Sequence, residues 1–184
     1  MNSLLGTAAP AFDEPLEMLD ACHGRIQAQL LTLRRLVEWL ANHGTDQSAQ
    51  EAAAAILRYF TLAAPHHHAD EEEDLLPALQ QTVATAAYAH ERPAVTALIE
   101  RILADHQRMD AARATMMVTL QHIADGETVP LSSAAVHAFS QLYEQHIAME
   151  TAELLPLAKR LLPATLAEQI GRRMAARRGA QFVA

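Results

Sequence analysis

The sequence is poor in the residues that build disulfide-linked, β-sheet or membrane-spanning proteins. It has one cysteine and six glycines in 184 residues, and aromatic residues make up only 4%. Because Cys22 has no partner for an internal disulfide, we expect a reducing compartment. β-Branched runs are absent and alanine and leucine are abundant, a composition that favours long helices over strands.

The charge and the apolar runs exclude further classes of protein. A formal net charge of -8 disfavours a general nucleic-acid-binding protein, since such proteins present positive charge to phosphates. No apolar run approaches the roughly 18 residues of a membrane-spanning helix, and residues 1–10 lack the basic and apolar segments of a signal peptide. We therefore expect one cytoplasmic domain over residues 1–184, with neither nucleic acid nor membrane as a partner; no oligomeric state follows from the sequence.

Apolar residues recur at alternating steps of three and four in four long segments, which is the pattern of amphipathic helices. The first segment follows Asp13, the second covers 48–81, the third covers 91–126, and the fourth begins at Ser132 or Ser133. Long helices with short connections predict an all-α, up-down-up-down four-helix bundle over about 13–161.

Two features of these helices carry predictions of their own. Pro65 lies inside the second segment, so we expect a kink or a break just before the histidines that follow it. A short fifth C-terminal helix is expected over about 164–178, and it carries a basic run. We interpret this run as a solvated helix end, with an anionic partner surface as the alternative; its residues are Arg172, Arg173, Arg177 and Arg178.

Histidine is what the sequence has in excess, with ten in 184 residues, and part of this excess lies in a repeat. Residues 67–77 align with residues 146–156, and both copies read His-x-x-x-Glu, then five residues, then proline. A spacing of four places the imidazole and the carboxylate on one helix face, one turn apart. This is the geometry with which a helix offers two ligands to one metal.

Each predicted long helix carries one histidine at an inward position near its middle, and the second and fourth helices add a glutamate one turn later. Antiparallel packing brings these groups to one level of the core. Two buried carboxylates are costly to ionise without cations, and two divalent metals bridged by both would remove that cost. The mixed nitrogen and oxygen set is typical of iron, manganese or zinc rather than calcium. The six candidate metal ligands are His23, His67, Glu71, His106, His146 and Glu150.

The three consecutive histidines at 66–68 leave a choice of register. Counting back from the proline of each copy pairs His67 with Glu71, and His68 with Glu72 is the competing register. We interpret the rest of the acidic run at 70–74 as a solvated face, from which Glu72 or Asp74 could orient a histidine.

Three other residues near these motifs are open to two interpretations each. Asp110, one turn after His106, is either an extra ligand or a core polar group paired with Arg113. Tyr143, one turn before His146, packs in an aromatic core or points its hydroxyl at the site. For Cys22 we favour a packing role, because it points about 100° away from the neighbouring histidine.

These motifs resemble those of the hemerythrin-like, HHE cation-binding family. The resemblance covers about residues 16–161 and rests on His23, HHHADEEEDLLP at 66–77, DHQRMD at 105–110 and EQHIAMETAELLP at 144–156. It implies two iron ions bridged by oxide or hydroxide, with manganese or zinc as the alternatives. By resemblance, His23 and His67 hold one iron, His106 and His146 hold the other, and both glutamates, Glu71 and Glu150, bridge them.

Six ligands shared by two metals leave coordination positions open for oxygen, nitric oxide or peroxide. We therefore predict a non-haem di-iron protein that binds or senses one of these ligands, with peroxidase-like or oxidase activity as its enzymatic version. The alternatives are an iron-donating or nitrosative and oxidative stress repair protein, and a metal-dependent sensor or interaction module. Oxygen-carrying hemerythrins have a second histidine where this chain has Asp110, which argues against reversible oxygen carriage.

Two rival metal proteins are disfavoured by the motifs. A ferritin-like carboxylate oxidase normally uses Glu-x-x-His at a spacing of three, whereas this chain uses a spacing of four and is rich in histidine. A structural zinc site is closed and tetrahedral around one metal, which does not suit two bridging carboxylates.

Overall fold

The structure, a computed structural model, describes residues 11–182. Within this part of the chain there are five helices and no β-strand, which confirms the predicted all-α bundle with its fifth helix. Residues 1–10, on which we argued against a signal peptide, lie outside the described residues. Over residues 11–182 we find no helix with the length and apolarity to cross a membrane. The helices are α1 (Pro15–His43), α2 (47–84), α3 (Arg92–Ala124), α4 (133–161) and α5 (Ala164–Arg177).

The helix ends follow local signals in the sequence. Gly44, with φ of 67°, ends α1, and its N–H donates to the Leu40 carbonyl at 3.0 Å. The Asp46 carboxylate caps α2 by accepting a hydrogen bond from the N–H of Ala49 at 2.9 Å. Ser132, rather than Ser133, caps α4. The chain therefore encodes its turns locally, and the loops between the helices stay short.

Three π-helical turns interrupt the long helices, and each lies just before a proline. A proline has no N–H, and its ring clashes with the carbonyl four residues earlier, so a wider turn accommodates it. The expected kink or break before the histidines is thus a π turn through which α2 continues. The turns are Tyr59–Ala63 before Pro65, Asp70–Leu75 before Pro77, and Glu150–Leu154 before Pro156.

The apolar core has two parts, separated by a polar layer. The first part uses the C-terminal half of α1, the N-terminal half of α2, the C-terminal half of α3 and the N-terminal half of α4. The second part uses the opposite halves and adds residues 170–174 of α5. This alternation is the signature of antiparallel neighbours, and it places the middle of all four long helices at one level.

Candidate metal centre

The structure brings all six candidate ligands together in the polar layer between the two parts of the core. Every one of them is buried, with at most 3% of its surface exposed. Four helices contribute, because α1 and α3 carry one histidine each and α2 and α4 carry a histidine and a glutamate each. The residues brought together are His23, His67, Glu71, His106, His146 and Glu150.

These six residues form two groups that share both glutamates. Within each group the ligand atoms lie within 4.8 Å of one another. The arrangement matches two neighbouring cation positions with two bridging carboxylates. Group 1 is His23, His67, Glu71 and Glu150, and group 2 is Glu71, His106, His146 and Glu150.

Each glutamate contacts a histidine of its own helix and a histidine of a neighbouring helix. Glu150 lies 3.0 Å from His23 Nε2 through Oε2, and 3.0 Å from His146 Nε2 through Oε1. Glu71 is 3.6 Å from His67 Nε2 and 3.4 Å from His106 Nε2. Both glutamates lie in the π turn that follows their histidine, a place where helices often bear functional groups.

The two glutamates have opposite electrostatic environments although their positions are equivalent. Burial alone would raise the pKa of Glu150, but the close contact with His146 and the hydrogen bond with His23 bring this pKa well below its usual range. Burial and the neighbouring Glu150 carboxylate raise the pKa of Glu71 well above its usual range. Without cations, the layer therefore stabilises one negative charge and disfavours a second.

Two of the histidines are held in their neutral, metal-binding form. Burial, assisted by the neighbouring histidines and opposed by Glu150, lowers the pKa of His67 to about 3, and burial also lowers the pKa of His106. The contacts of His146 with Glu150 and Asp105 outweigh its burial and raise its pKa. The Nε2 atoms of His106 and His146 lie 3.1 Å apart. Two ring nitrogens that point at each other at this distance need a proton or a cation between them or beside them.

Several buried polar atoms of the two groups have no hydrogen-bond partner among the described residues. These are both ring nitrogens of His67, both carboxylate oxygens of Glu71, Nδ1 of His146, and Oε1 of Glu150. Unpaired buried polar atoms are costly, and they are rare in folded proteins. Because His67, Glu71 and Glu150 each offer an atom of a metal-ligand type to the compact groups, the residues present fit a pair of bound cations.

The other ring nitrogen of three histidines has an outer contact that orients the imidazole. Glu72 accepts a hydrogen bond from His106 Nδ1 at 2.7 Å, which directs Nε2 to the centre. Asp105 lies 3.5 Å from His146 Nδ1, and the Thr151 hydroxyl lies 3.4 Å from His23 Nδ1. The sequence suggested that an acidic residue of the 70–74 run orients a histidine, and Glu72 does so.

We did not predict roles for Asp105 and Thr151. The repeat itself held the signal for Thr151, because it occupies the position of Glu72 in the second copy. Glu72 and Thr151 each follow one of the two shared glutamates and contact the histidine of a neighbouring helix. Asp105 had no such signal, since its partner on α4 follows only from the three-dimensional packing.

His68 lies beside the two groups and outside them. Its ring stacks on that of His106 with centroids 4.0 Å apart, and it forms a third group with His106 and the exposed Glu72. Burial and the nearby histidines lower its pKa to about 2. The structure thus places His67 with Glu71 in the centre, and His68 with Glu72 along its edge.

The structure shows the surroundings of the three residues for which the sequence allowed two interpretations. Asp110 is half-exposed and pairs with Arg113 at 3.0 Å, so it is neither a core group nor part of groups 1 and 2. Tyr143 packs against Phe60 and Phe139 in the apolar core. Cys22 is buried and accepts a hydrogen bond from the Arg25 guanidinium at 2.9 Å.

Two sequence-based expectations about charge are wrong. The acidic run at 70–74 is not a solvated face, because Asp70 and Asp74 are buried together with Glu71. The basic run of α5 is not simply a solvated helix end either. Arg172 does pair with Glu168 on the surface, but the other three arginines bind the acidic run. These three are Arg173, Arg177 and Arg178.

Comparison with known proteins agrees with this geometry. The family model of the hemerythrin HHE cation binding domain matches residues 14–158. A protein of Haemophilus influenzae, described as an uncharacterized protein, is 29% identical over 167 residues, which cover 91% of this chain and 91% of that protein. Because the family model spans most of the chain and includes all six candidate ligands, this protein belongs to the hemerythrin HHE cation-binding domain family.

Proposed function

We propose that this protein holds two iron ions, one in group 1 and one in group 2, and uses them to bind or sense oxygen, nitric oxide or peroxide. The observation that carries the proposal is the sharing of Glu71 and Glu150 between two compact groups. A shared pair of carboxylates is economical for two adjacent cations, since each oxygen can neutralise a different ion. The proposed ligands are the six residues of the two groups.

The donor set supports iron and an exogenous ligand. Each ion would receive two imidazoles and two carboxylate oxygens, a set that suits first-row metals of borderline softness. Iron commonly takes more than four donors, so positions remain for a small molecule. When bound, the metal pair would supply this ligand-binding and electron-transfer chemistry.

The protein's own residues would orient the donors and limit access. Glu72 holds the His106 imidazole through its Nδ1 atom, Asp105 lies 3.5 Å from Nδ1 of His146, and the apolar core closes the layer from above and below. A surface cleft of about 580 Å³ lies between α1 and α4 and is lined by Asp20 and Thr151, both next to His23. This cleft is a suitable approach to group 1 for a diatomic molecule or a peroxide.

The position of Asp110 favours binding or sensing over reversible oxygen carriage. Oxygen-carrying relatives have a histidine one turn after the helix-three histidine, and this chain has a half-exposed aspartate there that pairs with Arg113. An ion in group 2 would therefore lack that imidazole and keep a more open coordination sphere. An open sphere favours reaction or signalling over protected, reversible binding.

The test is metal analysis combined with absorption spectra of the anaerobically reduced protein. We expect about two irons per chain, in keeping with two groups of donors, and new near-ultraviolet bands on exposure to oxygen, nitric oxide or peroxide. Bands that persist under vacuum would support sensing or turnover, and bands that disappear would instead indicate carriage. One zinc per chain with no spectral response to any of the three ligands would overturn the proposal.

A further inference from the structure

Helix α5 lies against the π turn that carries Glu71. Two of its arginines and Arg178, the residue that follows the helix, bind the acidic residues of this turn. Arg173 donates to Asp74 at 3.1 Å, and Arg177 donates to Glu73 at 2.8 Å and also contacts Asp70. The basic end of the last helix and the acidic turn of the second thus form one interface, which we call the α5 clamp: Asp70, Glu73, Asp74, Arg173, Arg177 and Arg178.

Asp70 is the centre of the α5 clamp. It is fully buried, and both of its oxygens are bound by arginines. Arg178 donates from Nη1 to Oδ1 at 3.0 Å and from Nη2 to Oδ2 at 2.5 Å, and Arg177 donates to Oδ1. A buried carboxylate without such partners is strongly unfavourable. The two arginines therefore determine whether Asp70 can remain where it is.

The second copy of the repeat has no counterpart of this clamp. Met149 occupies the position of Asp70, and Ala152 occupies that of Glu73. Glu153, at the position of Asp74, pairs with Arg101 on the surface, where both side chains are about half-exposed. The π turn of the second copy therefore forms without a clamp. The clamp must then have a role that is specific to the first copy, beyond forming the turn.

The two glutamates differ in how firmly their contacts fix them, and this difference explains why only the first copy has a clamp. Glu150 is fixed by close contacts with His23 and His146 at 3.0 Å. Within residues 11–182, neither oxygen of Glu71 has a hydrogen-bond partner, and its histidine contacts are longer, at 3.4 and 3.6 Å. Its orientation thus depends on the backbone of its own π turn, whose first residue is Asp70.

We propose that Arg177 and Arg178 are positioning residues for Glu71, which they hold toward the metal centre through Asp70. This inference rests on the proposed function, because Glu71 is taken as the carboxylate shared by two ions. Without the clamp, the turn would rotate to bring Asp70 to water, and Glu71, the adjacent residue, would leave the layer with it. Both groups would then lose one ligand while keeping Glu150.

The test compares the double variant Arg177→Ala/Arg178→Ala with the control Arg172→Ala, which removes an exposed arginine of the same helix paired with Glu168. Iron affinity is measured by competition with a chelator, and helix content by circular dichroism. We expect the double variant to bind iron on the order of tenfold more weakly, as for other residues that orient ligands, with the helix content unchanged. The control should bind iron like the wild-type protein.

Two further variants keep the result interpretable if the double variant folds poorly. Asp70→Asn removes the charge that the arginines bind, and it should weaken iron binding in parallel. Arg178→Lys keeps the positive charge but loses the bidentate contact with Asp70. Its iron affinity should therefore lie between that of the double variant and that of the wild-type protein. Unchanged iron affinity in Asp70→Asn and in the folded arginine variants would overturn the proposal.

A second measurement separates this proposal from the proposed function. In the metal-free protein, hydrogen exchange at 70–75 should increase in the double variant, while exchange at 150–154 should not change. If the wild-type protein binds no metal, the proposed function fails, and this exchange pattern still decides whether the clamp fixes the turn. Equal exchange of 70–75 in variant and wild type would overturn the clamp whatever the metal result.

Discussion

The two copies of the repeated motif have the same inner contacts and different outer ones. In both copies the glutamate contacts the histidine one turn earlier and the histidine of a neighbouring helix. The residue after it contacts Nδ1 of that same neighbouring histidine, but this residue is Glu72 in the first copy and Thr151 in the second. The residue before it is a clamped Asp70 in the first copy and Met149 in the second.

The two copies therefore have the same candidate metal ligands, a histidine and a glutamate, and differ in the residues that support these ligands. Group 2 is supported by carboxylates, since Glu72 and Asp105 contact its two histidines. In group 1, Nδ1 of His23 has two outer contacts among the described residues, the Thr151 hydroxyl at 3.4 Å and the exposed Asp20 at 4.0 Å. Carboxylate partners raise the basicity of a ligand imidazole. The two proposed ions would therefore be held with unequal strength, the group 2 ion more tightly.

The largest expected effect comes from the two shared glutamates. Glu150→Gln and Glu71→Gln should both lose bound iron, but only Glu150→Gln should destabilise the metal-free protein, by about 2 to 3 kcal/mol. Glu150 accepts a hydrogen bond from His23 and lies 3.0 Å from His146 Nε2, whereas the raised pKa of Glu71 means that an amide resembles its protonated carboxyl. Urea unfolding of both metal-free variants, with iron content measured in parallel, tests the contrast. Equal loss of stability would show that the glutamates are equivalent.

A smaller effect is expected from the outer contacts. Glu72→Gln should weaken iron binding in group 2 by roughly 10- to 100-fold, because His106 loses a charged partner at 2.7 Å. Thr151→Val, the matched change in the other copy, should weaken iron binding in group 1 by less than about tenfold, since it removes one neutral contact at 3.4 Å. Stepwise titration with iron measures the two affinities. A reversed order would contradict the inequality of the groups.

The smallest effect concerns pH and the histidine that the second copy lacks. His68 has a pKa of about 2 and His67 of about 3, so protons bind the unfolded chain preferentially. The stability of the metal-free protein should therefore fall as pH drops below about 6.5, by about 1.4 kcal/mol per unit for each such histidine. The raised pKa of His146 acts in the opposite direction, and the lowered pKa of His106 acts in the same one.

His68→Ile, which copies Ile147 of the second repeat, tests this titration. Between pH 6.5 and 5.5 the variant should lose about 1 kcal/mol less stability than the wild-type protein. Urea denaturation of the metal-free proteins at pH 7.5, 6.5 and 5.5 measures the difference. Because His68 lies outside groups 1 and 2, the iron content of the variant at pH 7.5 should equal that of the wild-type protein. Identical pH profiles of stability would show that the titration of His68 does not contribute to the loss of stability.

The fold and the meeting of the six side chains were predictable because both depend on periodicity. Helix α5, at Ala164–Arg177, ends one residue before the end of the predicted range 164–178, and heptad spacing alone brought one histidine per helix to a common level. The α5 clamp was not predictable, because Arg177 and Asp70 lie more than a hundred residues apart in the chain. The π turns also changed which acidic side chains face inward, since a π turn holds more residues than an α turn.

The polar layer that separates the two parts of the core has a further consequence for how the bundle opens. Each half of the bundle closes over its own apolar cluster, and few apolar contacts join the halves across the layer. Because several buried polar atoms of this layer have no partner among the described residues, we expect it to be the least stable level of the metal-free bundle. Whether the two halves unfold together or separately then depends on the side chains of the polar layer.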